Sequence, residues 1–367
     1  MCSALLSEGF RFFRRSLAVR LKGFPAYEGS DKDVCTGIVA SCFNEEHEYF
    51  MASAGNFRQF FTRDFGLCVE SLLKLGYEKE VRKTLEYALS VFSRHGKVAT
   101  QLTPGGIPVD SFGYSSDSLP FLIRSLRIAK AHDLVFAYKP FLENEVLKYR
   151  EKVFDSSKGI VKRNTYFSSI RDQYTRDSSC YDNCCVAMLS QELELLRLKN
   201  PFQRHDLKKN IRKNFWNGRY FSDDLSKEAH VAGDANVFPF YFGIFDDKKM
   251  MRSSIAAIRR AGLDKPFPLK YANARDKRKE LWVARLTPNY EGSAVWLHLG
   301  LAYLHVVSLM DKRMLTLYLE KYKKIILTHQ NFLEVFTPEG KPYHAAFYMC
   351  DDAMLWAASY LALLGEV

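Results

Sequence analysis

Helical periodicity, repeated along nearly the whole chain, constrains the fold of this sequence more than any other feature. From Val81 to Phe92, for example, apolar residues recur at i, i+4, i+7, i+8 and i+11, with Gly76 before the segment and Gly96 after it. Similar patterns predict about twelve helices, the last over residues 349–363, whereas the alternation typical of strands is almost absent. We therefore expect an all-α protein.

Long loops rich in Gly, Pro, Asp and aromatic residues separate these helices at regular intervals. They cover 56–64, 101–117, 163–182, 229–240, 264–290 and 331–348. Successive loops are separated by roughly the length of two helices and their turns, which predicts a closed ring of helical hairpins with the long loops at one end. Because no low-complexity linker interrupts the series, we predict one domain over residues 31–367, with a basic helix over residues 1–30 packed on it.

The charge of the chain is positive but dispersed. Lys and Arg number 53 against 42 Asp and Glu, a formal net charge of +11. The basic residues occur in short runs on apparent helix faces and loops, so we expect solvated surfaces and no nucleic-acid partner. No run of about eighteen apolar residues is present, so no transmembrane span is predicted. Charges interrupt every apolar run near the N-terminus, so we predict no signal peptide.

The eight cysteines indicate neither a metal site nor a disulfide framework. Several lie at apolar positions of predicted helices, where a free thiol behaves as a small hydrophobe. The cluster Cys180, Cys184 and Cys185 lacks the paired spacing of a zinc site, so we predict no bound metal. Buried unpaired thiols are typical of a reducing compartment, and we therefore expect a cytoplasmic protein.

Candidate chemistry is concentrated in acids that lie within aromatic loops. The sequence has no phosphate-binding loop, dinucleotide fingerprint, zinc-protease motif or serine-hydrolase elbow, and its nine histidines are scattered. With these motifs excluded, the acids in aromatic loops favour catalysis by paired carboxylates on a polar, uncharged substrate such as a sugar. We predict Asp172 as a catalytic acid and Glu334 as its partner. The alternatives are structural: helix caps or surface ion pairs for Asp177 and Asp182, and a salt bridge to Lys341 for Glu334.

Several motifs between residues 56 and 363 resemble those of one group of enzymes. The motifs are FFTRDFGLCVESLLKLG, YSSDSLPFLIRSL, SSIRDQYTRDSSCYDNCCVAML, GDANVFPFYFGIF, YEGSAVWLHLGLAYL and NFLEVFTPEGKPYHAAFYMCDDAMLWAASYLALL. They resemble the inner helices and preceding loops of the six-hairpin glycosidases, which include glycogen-debranching amylo-α-1,6-glucosidases and alkaline/neutral invertases, trehalases and glucoamylases. The resemblance implies an all-α (α/α)6 toroid.

The resemblance also implies roles for individual residues. Asp172 would be the general acid and Glu334 the general base of an inverting glycoside hydrolase. The implied contacts of the terminal sugar are Arg63, Asp64 and Asp117, with Arg176, Asp234 and Asn236 as further candidates and Tyr114, Phe238, Tyr290 and Trp296 as possible stacking platforms. The sequence departs from the debranching enzymes in having Ile170 and Arg171 where a tryptophan often precedes the acid. Asp117 therefore remains an alternative acid.

The implied substrate is an α-glucoside, oligosaccharide or polysaccharide, and the chemistry needs no cofactor. Two other functions stay open. A sugar epimerase on the same toroid would use histidines clustered in the pocket, which the sequence lacks. A non-catalytic carbohydrate-binding or scaffold protein would dispense with either Asp172 or Glu334, and both residues are present.

Overall fold

The computed structural model describes residues 2–273 and 276–367, with side chains from Arg11 onward except that of residue 12. Fourteen α-helices lie in this described part. They are α1 (Cys2–Lys22), α2 (Asp31–Ser41), α3 (Thr62–Lys74), α4 (Glu78–His95), α5 (Ser118–Ile128), α6 (His132–Ala137), α7 (Lys139–Val153), α8 (Cys180–Leu195), α9 (Leu207–Phe215), α10 (Gly233–Tyr241), α11 (Lys248–Arg260), α12 (Leu297–Ser308), α13 (Lys312–His329) and α14 (Ala357–Leu364). None of them is both long enough and apolar enough to cross a membrane.

Six of these helices form a closed inner ring. Helix α3 packs on α5, α5 on α8, α8 on α10, α10 on α12, α12 on α14, and α14 again on α3. Residues are buried on nearly every side of α8, α10 and α12. Helices that are apolar all round belong in such an interior position, because each has neighbours on both sides and an outer layer behind it.

Six further helices form the outer layer. Helices α4, α7, α9, α11 and α13 pack on α3, α5, α8, α10 and α12 respectively, and α2 packs on α14. In α4 the five apolar residues of the sequence pattern are buried, and the opposite face carries charged residues. This double ring is the (α/α)6 toroid, so the predicted all-α fold class is confirmed.

In the described residues, nine two-residue strands pair the loops at the ends of the helices. They are β1 (Phe43–Asn44), β2 (Tyr49–Phe50), β3 (Phe60–Phe61), β4 (Gln101–Leu102), β5 (Pro108–Val109), β6 (Phe154–Asp155), β7 (Ile160–Val161), β8 (Val295–Trp296) and β9 (Val335–Phe336). All of the pairs are antiparallel. The pair β8–β9 aligns Trp296 with Val335, which brings the loop of Glu334 against the start of α12.

Two helix boundaries differ from the sequence prediction. The loop predicted over 229–240 contains helix α10, because Gly233–Phe240 is buried between α8 and α12 and tertiary packing overrides the glycine and proline signals. The last helix, predicted from residue 349, begins at Ala357. The preceding residues instead pair with the segment before α3, since Leu355 N donates to Ala52 O and Ser53 bridges Met354.

Because inner and outer helices alternate in direction, the inner helices all begin at the same end of the ring. Arg63 and Asp64 lie in the first turn of α3, Asp117 immediately precedes α5, and Asp234 lies in the first turn of α10. The partial positive charge at a helix N-terminus favours carboxylates there. Carboxylates from distant loops therefore meet at one end of the toroid.

Candidate active site

Arg63 joins three loops at this end of the ring. Its Nη1 lies 3.1 Å from Asp117 Oδ2 and its Nη2 lies 2.9 Å from Asp172 Oδ2. It also donates to the backbone oxygen of Ser169. The guanidinium is a rigid fork with several donors, so one arginine can hold two carboxylates at defined positions. Arg63, Asp117 and Asp172, all predicted as site residues, thus lie together.

The two carboxylates held by Arg63 differ in access. The Asp172 side chain is 19% exposed, and its Oδ1 accepts a hydrogen bond from Ser168 Oγ. The Asp117 side chain is fully buried, and both of its oxygens accept hydrogen bonds, from Ser115 Oγ at 2.9 Å and from Tyr181 OH at 3.0 Å. Burial raises the pKa of Asp117. Of the two, Asp172 has the more accessible carboxylate.

Asp64 lies beside an indole at the base of this site. Its Oδ1 accepts a hydrogen bond from Trp356 Nε1 at 3.0 Å. Burial raises the pKa of Asp64 to about 6, against the opposing effect of Arg63. The ring of Trp356 lies 6.5 Å from that of Trp296 and 4.7 Å from that of His298. Asp64 therefore lies next to a cluster of aromatic rings.

Glu334 is enclosed by three hydrogen-bond donors. Tyr290 OH donates to Oε1 at 2.5 Å, Tyr348 OH donates to Oε2 at 2.5 Å, and Asp351 N donates to Oε2 at 2.9 Å. The residue is 2% exposed. Burial, followed by the negative charge of Asp351, raises the pKa of Glu334 to about 7. These groups, and not the alternative partner Lys341, surround the carboxylate.

Glu291 is a site carboxylate that the sequence analysis missed. Its Oε2 accepts a hydrogen bond from Gln173 N at 2.8 Å, so the carboxyl lies against the residue that follows Asp172. Burial and the neighbouring charge of Asp172 raise the pKa of Glu291 to about 8. The only signal in the sequence is a lone acid within the aromatic motif YEGSAVW, directly before α12.

Tyr290 and Glu291 together connect the two predicted catalytic residues. The Tyr290 hydroxyl contacts Glu334, while the carboxyl of the next residue contacts Gln173 N. Adjacent residues are only about 3.8 Å apart at their Cα atoms. Asp172 and Glu334, which come from loops far apart in sequence, therefore border the same small part of the ring.

The predicted stacking platforms have different environments. Trp296 is 7% exposed, its Nε1 donates to Tyr290 O at 2.6 Å, and its ring lies 4.5 Å from that of Tyr290. Tyr114 is only partly buried, with Lys152 Nζ lying 4.6 Å from its ring centroid. Phe238 is fully buried among aromatic rings of the inner helices. Of the predicted platforms, Tyr290 contacts Glu334 through its hydroxyl, and Trp296 packs against Tyr290.

Three of the predicted sugar contacts have buried protein partners. Arg176 Nη1 lies 2.6 Å from Asp234 Oδ2 and 3.4 Å from Asp223 Oδ1. The Asn236 amide accepts from Phe221 N and donates to two backbone oxygens. The Arg176–Asp234 pair holds the 163–182 loop onto α10, and Asn236 joins α10 to the segment around Phe221.

Other polar residues of the 163–182 loop have structural contacts. Asp177 forms an ion pair with the exposed Arg163. Asp182 accepts hydrogen bonds from Ser116 Oγ and Ser179 Oγ, and Ser179 caps the start of α8. Arg171, which is 1% exposed, pairs with Asp223. The surface ion pair considered as an alternative accounts for Asp177, whereas Asp182 is a buried acid in the first turn of α8 and is neither the cap nor part of a surface ion pair.

The side chains that commonly bind metal ions are not clustered in the described residues. Within residues 2–273 and 276–367, no group of three or more His, Cys, Asp or Glu side chains is arranged to hold a metal ion. Seven cysteines, from Cys35 to Cys350, are free and buried.

Comparison with known proteins gives matches at the level of structure. No family model matches the chain, and no curated protein sequence matches it significantly. A glycosidase solved in complex with glucose superposes with a TM-score of 0.67 over 92% of this chain and 96% of its own, at 12% identity. The shared architecture is that of a glycosidase toroid.

Two further solved structures have the same toroid. A rhamnosidase from Klebsiella oxytoca with rhamnose bound gives a TM-score of 0.62 at 13% identity, over 93% of this chain and 65% of its own. A GH63 mannosylglycerate hydrolase from Thermus thermophilus, in complex with Tris, gives 0.57 at 10% identity, over 91% and 99%. At these identities the likeness establishes the glycosidase toroid fold and not a particular reaction.

Proposed function

We propose that this protein is an inverting glycoside hydrolase that removes glucose from an α-glucoside or oligosaccharide. The observation that carries the proposal is the placement of two carboxylates, Asp172 and Glu334, on either side of the Tyr290–Glu291 pair at one end of the toroid. Solved structures with the same fold are named as a glycosidase, a rhamnosidase and a mannosylglycerate hydrolase, which supports a sugar substrate.

Asp172 is the proposed general acid. It has the more accessible of the two carboxylates held by Arg63, and it can therefore approach a glycosidic oxygen. Glu291 lies against the adjoining residue, and its raised pKa keeps a proton on it at neutral pH. Burial and the charge of Asp172 thus favour the neutral form of Glu291, whose carboxyl lies next to the proposed acid.

Glu334 is the proposed general base. In the inverting mechanism the ionised base holds a water molecule on the face of the sugar opposite to the acid, with the two carboxyls about 6.5–9.5 Å apart. The three donors around Glu334 fix the orientation of its carboxylate. Because its pKa is raised to about 7, Glu334 accepts a proton from water more readily than an ordinary glutamate does.

Arg63, Asp64 and the indole rings form the proposed sugar-binding site. Asp64 Oδ1 receives the Trp356 N–H, and among the described residues no other donor approaches its carboxylate, so Oδ2 can accept a sugar hydroxyl. The rings of Trp296 and Trp356 offer apolar faces to the C–H face of the sugar. Asp117 supports Arg63 from within the protein and is proposed as a positioning residue.

The test is glucose release from maltooligosaccharides, isomaltose, trehalose, sucrose and limit dextrin, with the released anomer followed by NMR. Wild-type protein should release the inverted anomer from at least one of these substrates. Asp172→Asn and Glu334→Gln should each lower kcat by about 10²–10⁴-fold, the range for a general acid or base. Arg163→Gln, which removes an exposed ion pair on the same loop, is the matched control and should retain activity.

Other outcomes would change the assignment. Activity that survives Asp172→Asn but is lost in Asp117→Asn would move the acid to Asp117. Release of rhamnose or mannose from corresponding glycosides, without release of glucose, would retain the hydrolase and change the sugar. Binding of a sugar in calorimetry with no hydrolysis of any glycoside would contradict the proposal in favour of a carbohydrate-binding protein.

A further inference from the structure

Helix α1 lies outside the double ring and contacts the segment that follows Glu334. Arg15 Nη1 lies 3.2 Å from Cys350 O and 3.4 Å from Met349 O. Its Nη2 forms an ion pair with Asp352 and lies 3.3 Å from Asp351 Oδ1. One arginine of α1 therefore holds four consecutive residues, 349 to 352.

Asp351 is bound reciprocally to Glu334. Asp351 N donates to Glu334 Oε2 at 2.9 Å, and Glu334 N donates to Asp351 O at 3.0 Å. The Asp351 carboxylate in turn accepts from Ser53 Oγ and from the backbone N–H groups of Asn56 and Phe57, the latter two at 2.7 and 3.0 Å. Arg15 thus contacts the residue that fixes one side of Glu334.

Other residues of α1 contact the same segment nearer its start. Arg20 donates to the backbone oxygens of Ala345 and Ala346, and the Phe13 ring lies 6.4 Å from that of Phe347. The next residue is Tyr348, whose hydroxyl donates to Glu334. Helix α1 consequently contacts residues on both sides of Tyr348.

Two of the three donors to Glu334, Tyr348 OH and Asp351 N, therefore belong to a segment held by α1. We propose that Arg15 is a positioning residue for Glu334, which it orients by holding residues 345–352 against the ring. The catalytic part of this inference rests on the proposed function, in which Glu334 is the general base. The positional part concerns the segment itself and is tested separately below.

Arg15 also affects the charges around Glu334. The charged and titratable groups around Glu334 and Asp351 are Arg15, Cys42, Tyr290, Tyr348, Cys350 and Asp352. The charge of Asp351 raises the pKa of Glu334, and Arg15 favours that charge by lowering the pKa of Asp351 against the effect of burial. Arg15 therefore influences the charges beside Glu334 as well as the position of the segment.

The experiment compares Arg15→Gln with Arg15→Lys and with Lys22→Gln. Lys22 is an exposed residue at the end of the same helix, so its substitution removes the same charge without touching the 345–352 segment. On the best substrate, Arg15→Gln should lower kcat about tenfold with KM nearly unchanged, since a base displaced by about 1 Å loses up to 10²-fold. The acidic limb of its pH profile should move away from the wild-type position, and both kcat and the profile should partly recover in Arg15→Lys.

Amide hydrogen exchange of residues 343–352 provides a readout that needs no substrate. Exchange at Cys350 N and Asp351 N, which donate to Tyr343 O and Glu334 Oε2, should accelerate in Arg15→Gln and stay at the wild-type rate in Lys22→Gln. If only the amides of this segment exchange faster, the segment has detached locally and the protein has not unfolded as a whole.

Two results would overturn the inference. Unchanged exchange in Arg15→Gln would refute the positional role whether or not the protein is active. Unchanged kcat and pH profile in a protein that hydrolyses a sugar would refute the catalytic part. If wild-type protein hydrolyses no glycoside, the proposed function and with it the catalytic part of this inference fail, and the exchange result still decides whether Arg15 holds the segment.

Discussion

At the scale of single residues, the site is defined by the different surroundings of its carboxyls. Glu334 and Glu291 are both buried, yet the first is enclosed by hydroxyl and N–H donors and the second lies close to the charge of Asp172. Burial raises the pKa of each, and neighbouring charge adds to it. Both carboxyls therefore exchange protons near neutral pH, which suits acid and base chemistry at one site.

The pH dependence of catalysis should report Glu334. A general base acts when ionised, so kcat/KM should rise as pH increases through the pKa of about 7 and should be low at pH 5. The measurement is a pH profile of kcat/KM on the best substrate. An acidic limb near the ordinary glutamate value of about 4.3 would contradict the role of Glu334 as base.

The effect of Glu291 on stability should also depend on pH. Its folded-state pKa of about 8 lies above the unfolded value, so its contribution is full at acid pH and is lost as pH rises to about 8. Glu291→Gln keeps an acceptor for Gln173 N and removes the charge near Asp172. It should therefore unfold like wild type at pH 4 and be more stable by up to about 5 kcal/mol at pH 8.5, since one pKa unit corresponds to about 1.4 kcal/mol.

Urea denaturation at the two pH values measures this difference. Glu339→Gln, at an exposed glutamate of the 331–348 loop, is the control and should show no such gain. A Glu291→Gln protein that is less stable than wild type at pH 8.5 would show that its carboxylate is held by attraction and not by burial.

At the scale of elements, the 163–182 loop is fastened to α10 by buried charge. Arg176 and Asp234 pair at 2.6 Å with almost no solvent exposure, and Arg176 also approaches Asp223. A buried ion pair is costly to break, because the remaining charge has no partner and no water. Arg176 also donates to Ser169 Oγ at 3.0 Å, so the contact positions the part of the loop that carries Asp172.

Two arginines of this loop should consequently differ in importance. Arg176→Ala leaves Asp234 buried and unpaired and should cost about 3–5 kcal/mol of unfolding free energy. Arg163→Ala removes an exposed pair with Asp177 and should cost less than about 1 kcal/mol. Chemical denaturation of the two variants makes the comparison, and similar costs would show that the Arg176 network does not hold the loop.

At the scale of the whole molecule, closure of the ring depends on close approaches between helices and loops. A Cβ on Gly300 of α12 would lie 2.0 Å from Tyr322 OH and 2.4 Å from Pro268 O. A Cβ on Gly66 of α3 would lie 2.6 Å from the Phe121 ring of α5. These glycines allow neighbouring elements to pack more closely than any larger residue would, which is how six helices close into a ring.

Enlarging these glycines should test closure directly. Gly300→Ala meets a backbone oxygen that cannot rotate away and should destabilise the protein by about 2 kcal/mol or more, whereas overpacking against a movable side chain costs less. Gly105→Ala, whose Cβ would approach nothing closer than 3.9 Å, is the control and should be nearly neutral. Thermal unfolding measures the difference. If Gly105→Ala lowered the unfolding temperature as much as Gly300→Ala, the close approach at Gly300 would not be important for packing.

Much of the architecture follows from local patterns in the sequence. The all-α class and the ring of hairpins were predictable because helical periodicity is carried by residues three and four apart, although the loop predicted over 229–240 contains α10. The (α/α)6 class and the sugar-contact roles of Arg63, Asp64 and Asp117 came from the resemblance to the six-hairpin glycosidases. The single domain over 31–367 and the helix over 1–30 stay predictions, as do the roles of these residues.

Only the tertiary structure decided which groups meet. Glu291 looks like an isolated acid in the sequence and becomes a site residue because ring closure brings it to Gln173. Asn236 looks like a loop amide in the sequence, and in the structure its amide is hydrogen-bonded to backbone groups. Arg15, in the first helix, reaches Asp351 near the end of the chain. Burial and pairing depend on contacts between residues far apart in sequence, and those contacts exist only once the ring has closed.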